Sequence, residues 1–238
     1  MRPRFVLFGD SITQQSFQSG GWGAALTDRY ARKADVVLRG YSGYNTRWAL
    51  YLLAKIFPQG SQEAPAVVTI FFGANDAAPL DGKHAMQHVP LPEYKENLSK
   101  IISHIKFLSK ETLVVLITPP PVCEEALQVT GWKIFGLKPD DASVRKNETT
   151  GSYAKACIDV AKQADVPVID LWTCMQEKPG WQRSYLSDGL HLSEDGNAVV
   201  FTKLIEILNE NGFSFEAMKW DFPEHSNVNS QNPAETAW

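Results

Sequence analysis

Cysteine is scarce in this chain: Cys123, Cys157 and Cys174 are three in number and no two share a CxxC spacing. An odd, dispersed set of this kind excludes a disulfide framework and a structural zinc site, and fits a reducing compartment. Long apolar runs are missing too. No stretch approaches the ~18 residues a membrane span needs. The first strand starts almost at Met1, with no charged region, apolar core and small-residue cleavage site ahead of it, so the chain reads as cytoplasmic, without signal peptide or transmembrane segment. Basic clusters are the third absence. Lys and Arg total 23 against 27 Asp and Glu, giving a net charge of -4, and the cations are scattered, which disfavours nucleic acid and anionic membranes as partners. No internal repeat is present.

What remains is an ordinary globular composition, 44% hydrophobic and 21% charged. Phe5 to Phe8 is a short unbroken apolar run that stops at Gly9-Asp10-Ser11, the pattern of a strand buried on both faces. A helix is expected from about Trp22 to Lys33, then a strand from Asp35 to Leu38 that ends in Gly40-Tyr41-Ser42-Gly43-Tyr44-Asn45. Thr46 is placed to cap the next helix, whose apolar face is Ala49, Leu50, Leu53 and Phe57. The strongest strand signal is Ala66 to Phe72, closed by Gly73-Ala74-Asn75-Asp76. After a Pro- and His-containing loop over 79–92, Tyr94, Leu98, Ile101, Ile105 and Leu108 mark a regular amphipathic helix, and Thr112 to Ile117 a fourth strand.

Periodicity weakens from Val122 to Thr150. An apolar patch at Trp132, Ile134, Phe135 and Leu137, followed by the polar run Lys138 to Thr150, reads as a lid inserted on the active edge. A helix over Ser152 to Ala164, a strand over Val166 to Leu171, the loop Ser187-Asp188-Gly189-Leu190-His191 and a final helix opened by Ser193 and running through Leu208 complete the pattern. Strands alternating with helices predict a three-layer α/β/α sandwich around a five-stranded parallel sheet of order 2-1-3-4-5. Residues 1–218 form one such domain with the insertion at 122–150, and 219–238 form a C-terminal tail expected to pack only in part. In this order the topological switch lies beside the first strand, so the turns carrying Ser11, Gly43 and Asn75 become neighbours.

Acyl transfer by serine needs a hydroxyl, a base within reach, an orienter for the base, and donors aimed at the oxyanion. Ser11 sits on the turn at the carboxyl end of the central strand. Among the five histidines, His191 lies in a polar loop after the last strand, and Asp188 is close enough for its carboxylate to fold back on the ring, with Gly189 freeing the backbone between them. Each signal has a plainer alternative. Ser11 could cap the segment after it, Asn75 could bond its own turn, and Gly43 could be a turn glycine. His84 and His88, four apart but flanked by Pro79 and Pro90, read as a solvated loop, and Gly21-Trp22-Gly23 is no dinucleotide fingerprint because Leu26 stands where its third glycine belongs.

Taken together, Gly9-Asp10-Ser11-Ile12-Thr13, Gly43, Gly73-Ala74-Asn75-Asp76 and Asp188-Gly189-Leu190-His191 resemble the four ordered blocks of the SGNH or GDSL hydrolase family. The fuller runs Phe8 to Gln14, Gly40 to Trp48 and Phe71 to Asp76 are similar to the isoamyl acetate-hydrolysing esterase subgroup. One departure is Leu38, where many members carry an asparagine five residues before the second-block glycine; that position is outside the catalytic set. The resemblance implies a flavodoxin-like SGNH hydrolase fold and hydrolysis of small, short-acyl esters without metal or organic cofactor. It also implies a Ser11, Asp188, His191 triad and an oxyanion hole made by the Ser11 and Gly43 N–H groups and the Asn75 amide. Trp132, Ile134 and Phe135 are the candidate substrate pocket. The expected partner is a small-molecule ester, and a homodimer is left open. A carbohydrate O-deacetylase or lysophospholipase with the same triad, or a non-catalytic ester- or sugar-binding module, are the alternatives, since fold and triad do not fix the alcohol.

Overall fold

The computed structural model describes residues 2–60, 64–135 and 144–236, with only the backbone of 131–135. Among the described residues, five strands form one parallel sheet: β1 (Arg4–Gly9), β2 (Asp35–Gly40), β3 (Val67–Phe71), β4 (Leu113–Ile117) and β5 (Val168–Ile169), in the order β2-β1-β3-β4-β5. β1 takes an interior place, between β2 and β3, because both of its faces are apolar. Phe5 pairs in register with Val36 on one side and Val67 on the other, and Leu7 with Leu38 and Thr69.

Side chains of a strand alternate between faces, so β1 feeds two cores. Val6 and Phe8 join Val68, Ile70, Val114 and Leu116 under α3 (Thr46–Ile56), α4 (Leu91–Leu108) and α6 (Asn147–Ala164). Phe5 and Leu7 join Val67, Phe71, Val115 and Ile117 under α2 (Trp22–Arg29), α7 (Leu171–Gln176) and α9 (Glu194–Glu210). Burial of each such phenylalanine is worth about 2 kcal/mol. The expected three layers and strand order are those observed, and Cys157 sits among the buried side chains of the first core.

Several expected boundaries move, each because a side chain or a turn intervenes. The second helix ends at Arg29, not Lys33, since Arg32 adopts φ +64° and turns the chain toward β2. Thr46 is the first residue of α3, not its cap; Asn45 caps it, accepting from the Trp48 N–H at 2.9 Å. The last strand is two residues long, not six, because Asp170 accepts from the Thr173 N–H and starts α7 at once. A further short helix, α8 (Trp181–Ser184), follows in what reads from the sequence as plain loop.

The stretch 122–150 is helical at both ends. α5 (Glu124–Phe135) occupies its first part, and α6 begins at Asn147, five residues before the expected Ser152. Tertiary contacts override the weak helix propensity there: Asn147 accepts from the Val122 N–H and the Trp172 indole, both at 3.1 Å. The Trp132, Ile134 and Phe135 side chains, and Leu137, lie outside the described residues.

Beyond α9 the chain returns over β2. Tyr30 donates to Phe213 O at 2.7 Å, buried Lys33 to Phe215 O and Met218 O at 2.5 and 3.0 Å, and Arg32 to Phe222 O and Pro223 O at 2.7 and 3.1 Å. The start of the expected tail is thereby clasped, while most of 224–235 is exposed. Among the described residues no helix is long and apolar enough to cross a membrane.

Candidate active site

The carboxyl ends of β2, β1 and β3 are tied to one another before any functional side chain is added. Asp10 N–H donates to Phe71 O at 3.3 Å, Tyr41 N–H to Gly9 O at 2.9 Å, and Ser42 N–H to the Gln14 side chain at 2.8 Å. On this edge Ser11 is the first residue of α1 (Ser11–Gln14), whose cap Asp10 accepts from the Ile12 N–H at 2.9 Å. Ser11 leaves the strand and enters a helical turn in one step, which lifts its hydroxyl out of the sheet plane.

His191 arrives from the opposite end of the sequence. Its Nε2 is 2.9 Å from Ser11 Oγ, and its Nδ1 is 2.7 Å from Asp188 Oδ2. The other carboxylate oxygen, Oδ1, accepts from the backbone N–H groups of Leu190 and His191 at 2.9 and 2.8 Å. That hairpin of contacts requires Gly189 at φ +96°, where a Cβ would also meet Cys123 O at 2.7 Å. Burial opposes charge on Asp188, but the imidazole and the two backbone donors outweigh it and hold its carboxyl down to about 2. For His191 burial favours the neutral ring, and the Asp188 carboxylate outweighs that in turn, raising the imidazole above its ordinary value.

Asn75 lies in the turn after β3, buried, with its Nδ2 donating to Tyr44 O at 2.9 Å and its Oδ1 accepting from Arg145 Nη2 at 3.1 Å. One of its two amide hydrogens is therefore spent on Tyr44, and among the described residues the other has no acceptor. Gly43 adopts φ +79°, a conformation glycine tolerates, and its carbonyl accepts from Gln87 Nε2 at 3.2 Å. Asp76 accepts from the Thr46 N–H and Oγ1 at 3.0 and 2.5 Å. Burial pushes both Asp10 and Asp76 up to about 7.

The candidate residues thus divide cleanly. Ser11, Asp188 and His191 are joined by hydrogen bonds, and the turns bearing Gly43 and Asn75 are joined through Tyr44. His84 and His88 flank a turn of 3-10 helix, with His88 Nδ1 2.7 Å from Ala78 O. α5 rests on the Asp188 loop: Thr130 Oγ1 donates to Asp188 O at 3.2 Å and Cys123 N–H to Gly189 O at 2.9 Å.

Two further residues join the site without any sequence motif to mark them. Arg145 is buried behind Asn75, donating through Nε to Ala74 O at 2.8 Å and through Nη2 to Asn75 Oδ1 and, at 2.7 Å, to Gln87 Oε1. Gln87 links that guanidinium to Gly43 and accepts at its own carbonyl from Asn45 Nδ2 at 2.8 Å. Neither residue carries a local signal. Each lies in a stretch without periodicity, and their partners come from distant parts of the chain.

Residues 7–199 match the model of the GDSL-like lipase/acylhydrolase family. The chain belongs to that family. Its relatives include a GDSL esterase/lipase of Arabidopsis thaliana, 53% identical over 98% of this chain and 97% of the plant protein. An isoamyl acetate-hydrolyzing esterase 1 homolog of Homo sapiens is 48% identical, over 87% of this chain and 82% of the human protein. Among solved structures, a lipase/acylhydrolase from Enterococcus faecalis superposes with a TM-score of 0.67 at 24% identity, over 94% of this chain and all of the other. An acetylxylan esterase from Geobacillus stearothermophilus gives a TM-score of 0.62 at 20% identity, covering 90% and 97%. This GDSL family member is a carboxylic ester hydrolase with the SGNH hydrolase fold.

Proposed function

We propose that this GDSL enzyme hydrolyses small, short-acyl carboxylic esters, of which acetates are the type, through a Ser11-His191-Asp188 triad and an acyl-enzyme. The observation that carries the proposal is the unbroken relay of 2.9 and 2.7 Å contacts from Ser11 Oγ through the imidazole to Asp188. Ser11 Oγ attacks the ester carbonyl and loses its proton to His191 Nε2. The tetrahedral intermediate collapses, the C–O bond to the alcohol breaks, and His191 returns the proton to the departing alkoxide. Water then attacks the Ser11 acyl ester with His191 again as base, releasing the acid. Asp188 keeps the Nδ1–H tautomer facing it and stabilises the imidazolium formed in each half-reaction. The Ser11 and Gly43 N–H groups and the free Asn75 amide hydrogen are the donors assigned to the oxyanion.

The preference for a small alkyl ester is supported by relatives at 44–48% identity that carry the isoamyl acetate-hydrolyzing name. The acetylxylan esterase, at 20% identity, contributes the fold alone. Purified enzyme assayed on p-nitrophenyl acetate, butyrate and octanoate, on isoamyl acetate and on acetylated xylose is expected to turn over the short alkyl esters best, with Ser11→Ala inactive on all. A ranking led by the acetylated sugar, or by octanoate, overturns the substrate assignment. Activity surviving in Ser11→Ala overturns the nucleophile.

A further inference from the structure

Arg145 is a buried cation whose hydrogen bonds, among the described residues, go to neutral acceptors. Its three acceptors are Ala74 O, Asn75 Oδ1 and Gln87 Oε1, and among the described residues no carboxylate forms an ion pair with it. Asp10 and Asp188 act on it only through space. A guanidinium taken out of water must be met by fixed acceptors, and this one is held by three oxygens at once. The place is specific. Two of its acceptors belong to consecutive residues at the end of β3, and the third belongs to the residue that holds Gly43.

We infer that Arg145 is a positioning residue for the oxyanion hole, locking and polarising the Asn75 side chain. The inference rests on the assignment of Asn75 as an oxyanion donor. A side-chain amide can present either its oxygen or its nitrogen to a site, and the two choices are opposite in effect on an oxyanion. Here Oδ1 faces a guanidinium that can only donate, and Nδ2 faces Tyr44 O, which can only accept, so a flipped amide would set donor against donor and oxygen against oxygen. The same contact withdraws electron density from the amide through Oδ1. The remaining N–H becomes a stronger donor, as hydrogen bonds in series do.

The test is a double-mutant cycle on p-nitrophenyl acetate hydrolysis, with folding checked by circular dichroism. Arg145→Met is expected to lower kcat about 10- to 100-fold and to leave KM within about twofold, the split of an interaction made in the transition state. Arg145→Lys returns the cation without the fork and is expected to recover part of the loss. Asn75→Ala alone lowers kcat about 10²- to 10³-fold, and adding Arg145→Met to it should cost no more than about a further twofold, because the arginine acts through the amide. Multiplicative losses, or an Arg145→Met kcat within about twofold of wild type, overturn the inference and leave Asn75 in place. An Asn75→Ala enzyme with undiminished kcat removes the oxyanion assignment itself and the inference with it. Should Arg145→Met not fold, the same cycle run with Arg145→Lys decides between coupled and independent losses.

Discussion

The two halves of the proposed active site are built in opposite ways. The side assigned to the nucleophile is assembled from two short segments: Ser11 with its cap Asp10, and the tight loop in which the Asp188 carboxylate bonds both the backbone N–H and the ring of His191 three residues on. The side assigned to the oxyanion draws on the turn after β2, the turn after β3, the loop before α4 and the segment before α6, held together by Tyr44, Gln87 and Arg145. A base and its orienter can be specified locally because a loop of four residues suffices to fold a carboxylate onto a ring. A concave set of donors has to be convergent, and convergence from separate strands needs a bracket. Arg145, with acceptors 58 to 71 residues away in sequence, is that bracket.

The contrast can be broken most severely on the nucleophile side. Ser11→Ala and His191→Ala are each expected to lower kcat by about 10⁴-fold or more, with the double mutant scarcely worse than either, because the triad acts as a unit. Near-normal turnover in His191→Ala would falsify the base assignment. On the other side, Asn75→Asp keeps size and turn propensity but sets a carboxylate against a developing oxyanion, so its kcat is expected to fall by at least the ~10²- to 10³-fold of a lost donor. A folded Asn75→Asp enzyme working at wild-type rate would leave the oxyanion side without its principal donor.

The pH dependence should separate the halves as well. His191 must be neutral to accept the Ser11 proton, and the Asp188 carboxylate favours its charged form, so kcat/KM is expected to rise with pH about a midpoint above the ordinary histidine value of 6.5. Asp188→Asn, measured on whatever residual activity remains, should bring that midpoint down. A midpoint that stays put in the variant would mean that another group controls it.

A smaller effect is expected at the entrance. Trimming Trp132, Ile134 and Phe135 to alanine should reorder the preference among acetyl, butyryl and octanoyl esters more than it lowers the melting temperature, since α5 rests on the Asp188 loop. An unchanged order would remove these three residues from the pocket. The smallest effect is on stability alone. Burial raises the folded-state carboxyl of Asp76 to about 7, against an ordinary 3.8, so the folded protein holds a proton there that the unfolded chain has released. Stability should therefore decline as pH rises from about 4 to about 7, and Asp76→Asn should make that decline shallower, leaving the part due to Asp10. Urea midpoints of the two proteins, parallel across this window, would speak against a buried protonated Asp76.

The difference between the halves also explains what could be read before folding. The strand order and the Ser11 and Asp188-His191 segments were legible because their signals are contiguous: an apolar run ending in Gly-Asp-Ser, and a carboxylate and a histidine three apart. Gly43 and Asn75 were legible as turn residues at strand ends, and became neighbours once the order 2-1-3-4-5 was in hand. Arg145 was not, because a lone arginine in the polar run Lys138 to Thr150 looks like any solvated cation until β3 is laid beside it. The over-long last strand had the same origin. Val166 to Leu171 is apolar enough for six residues of sheet, yet Val166 closes a turn onto Ala161 and Asp170 opens a helix, and neither contact is visible in a hydropathy pattern.

The interior position of β1 also decides how the enzyme loses its activity on warming or in denaturant. Amides paired on both sides of a buried strand exchange with solvent only through the largest openings of a protein, whereas loops and edges open at little cost. Ser11 stands two residues beyond the end of such a strand, and Asn75 a few residues beyond the strand beside it. Fraying of the exposed C-terminal segment can thus come and go without moving the nucleophile. The nucleophile departs from its place only when the whole sheet does, so turnover lost first on warming should be lost through the His191 loop and the β2 turn, with Ser11 still seated.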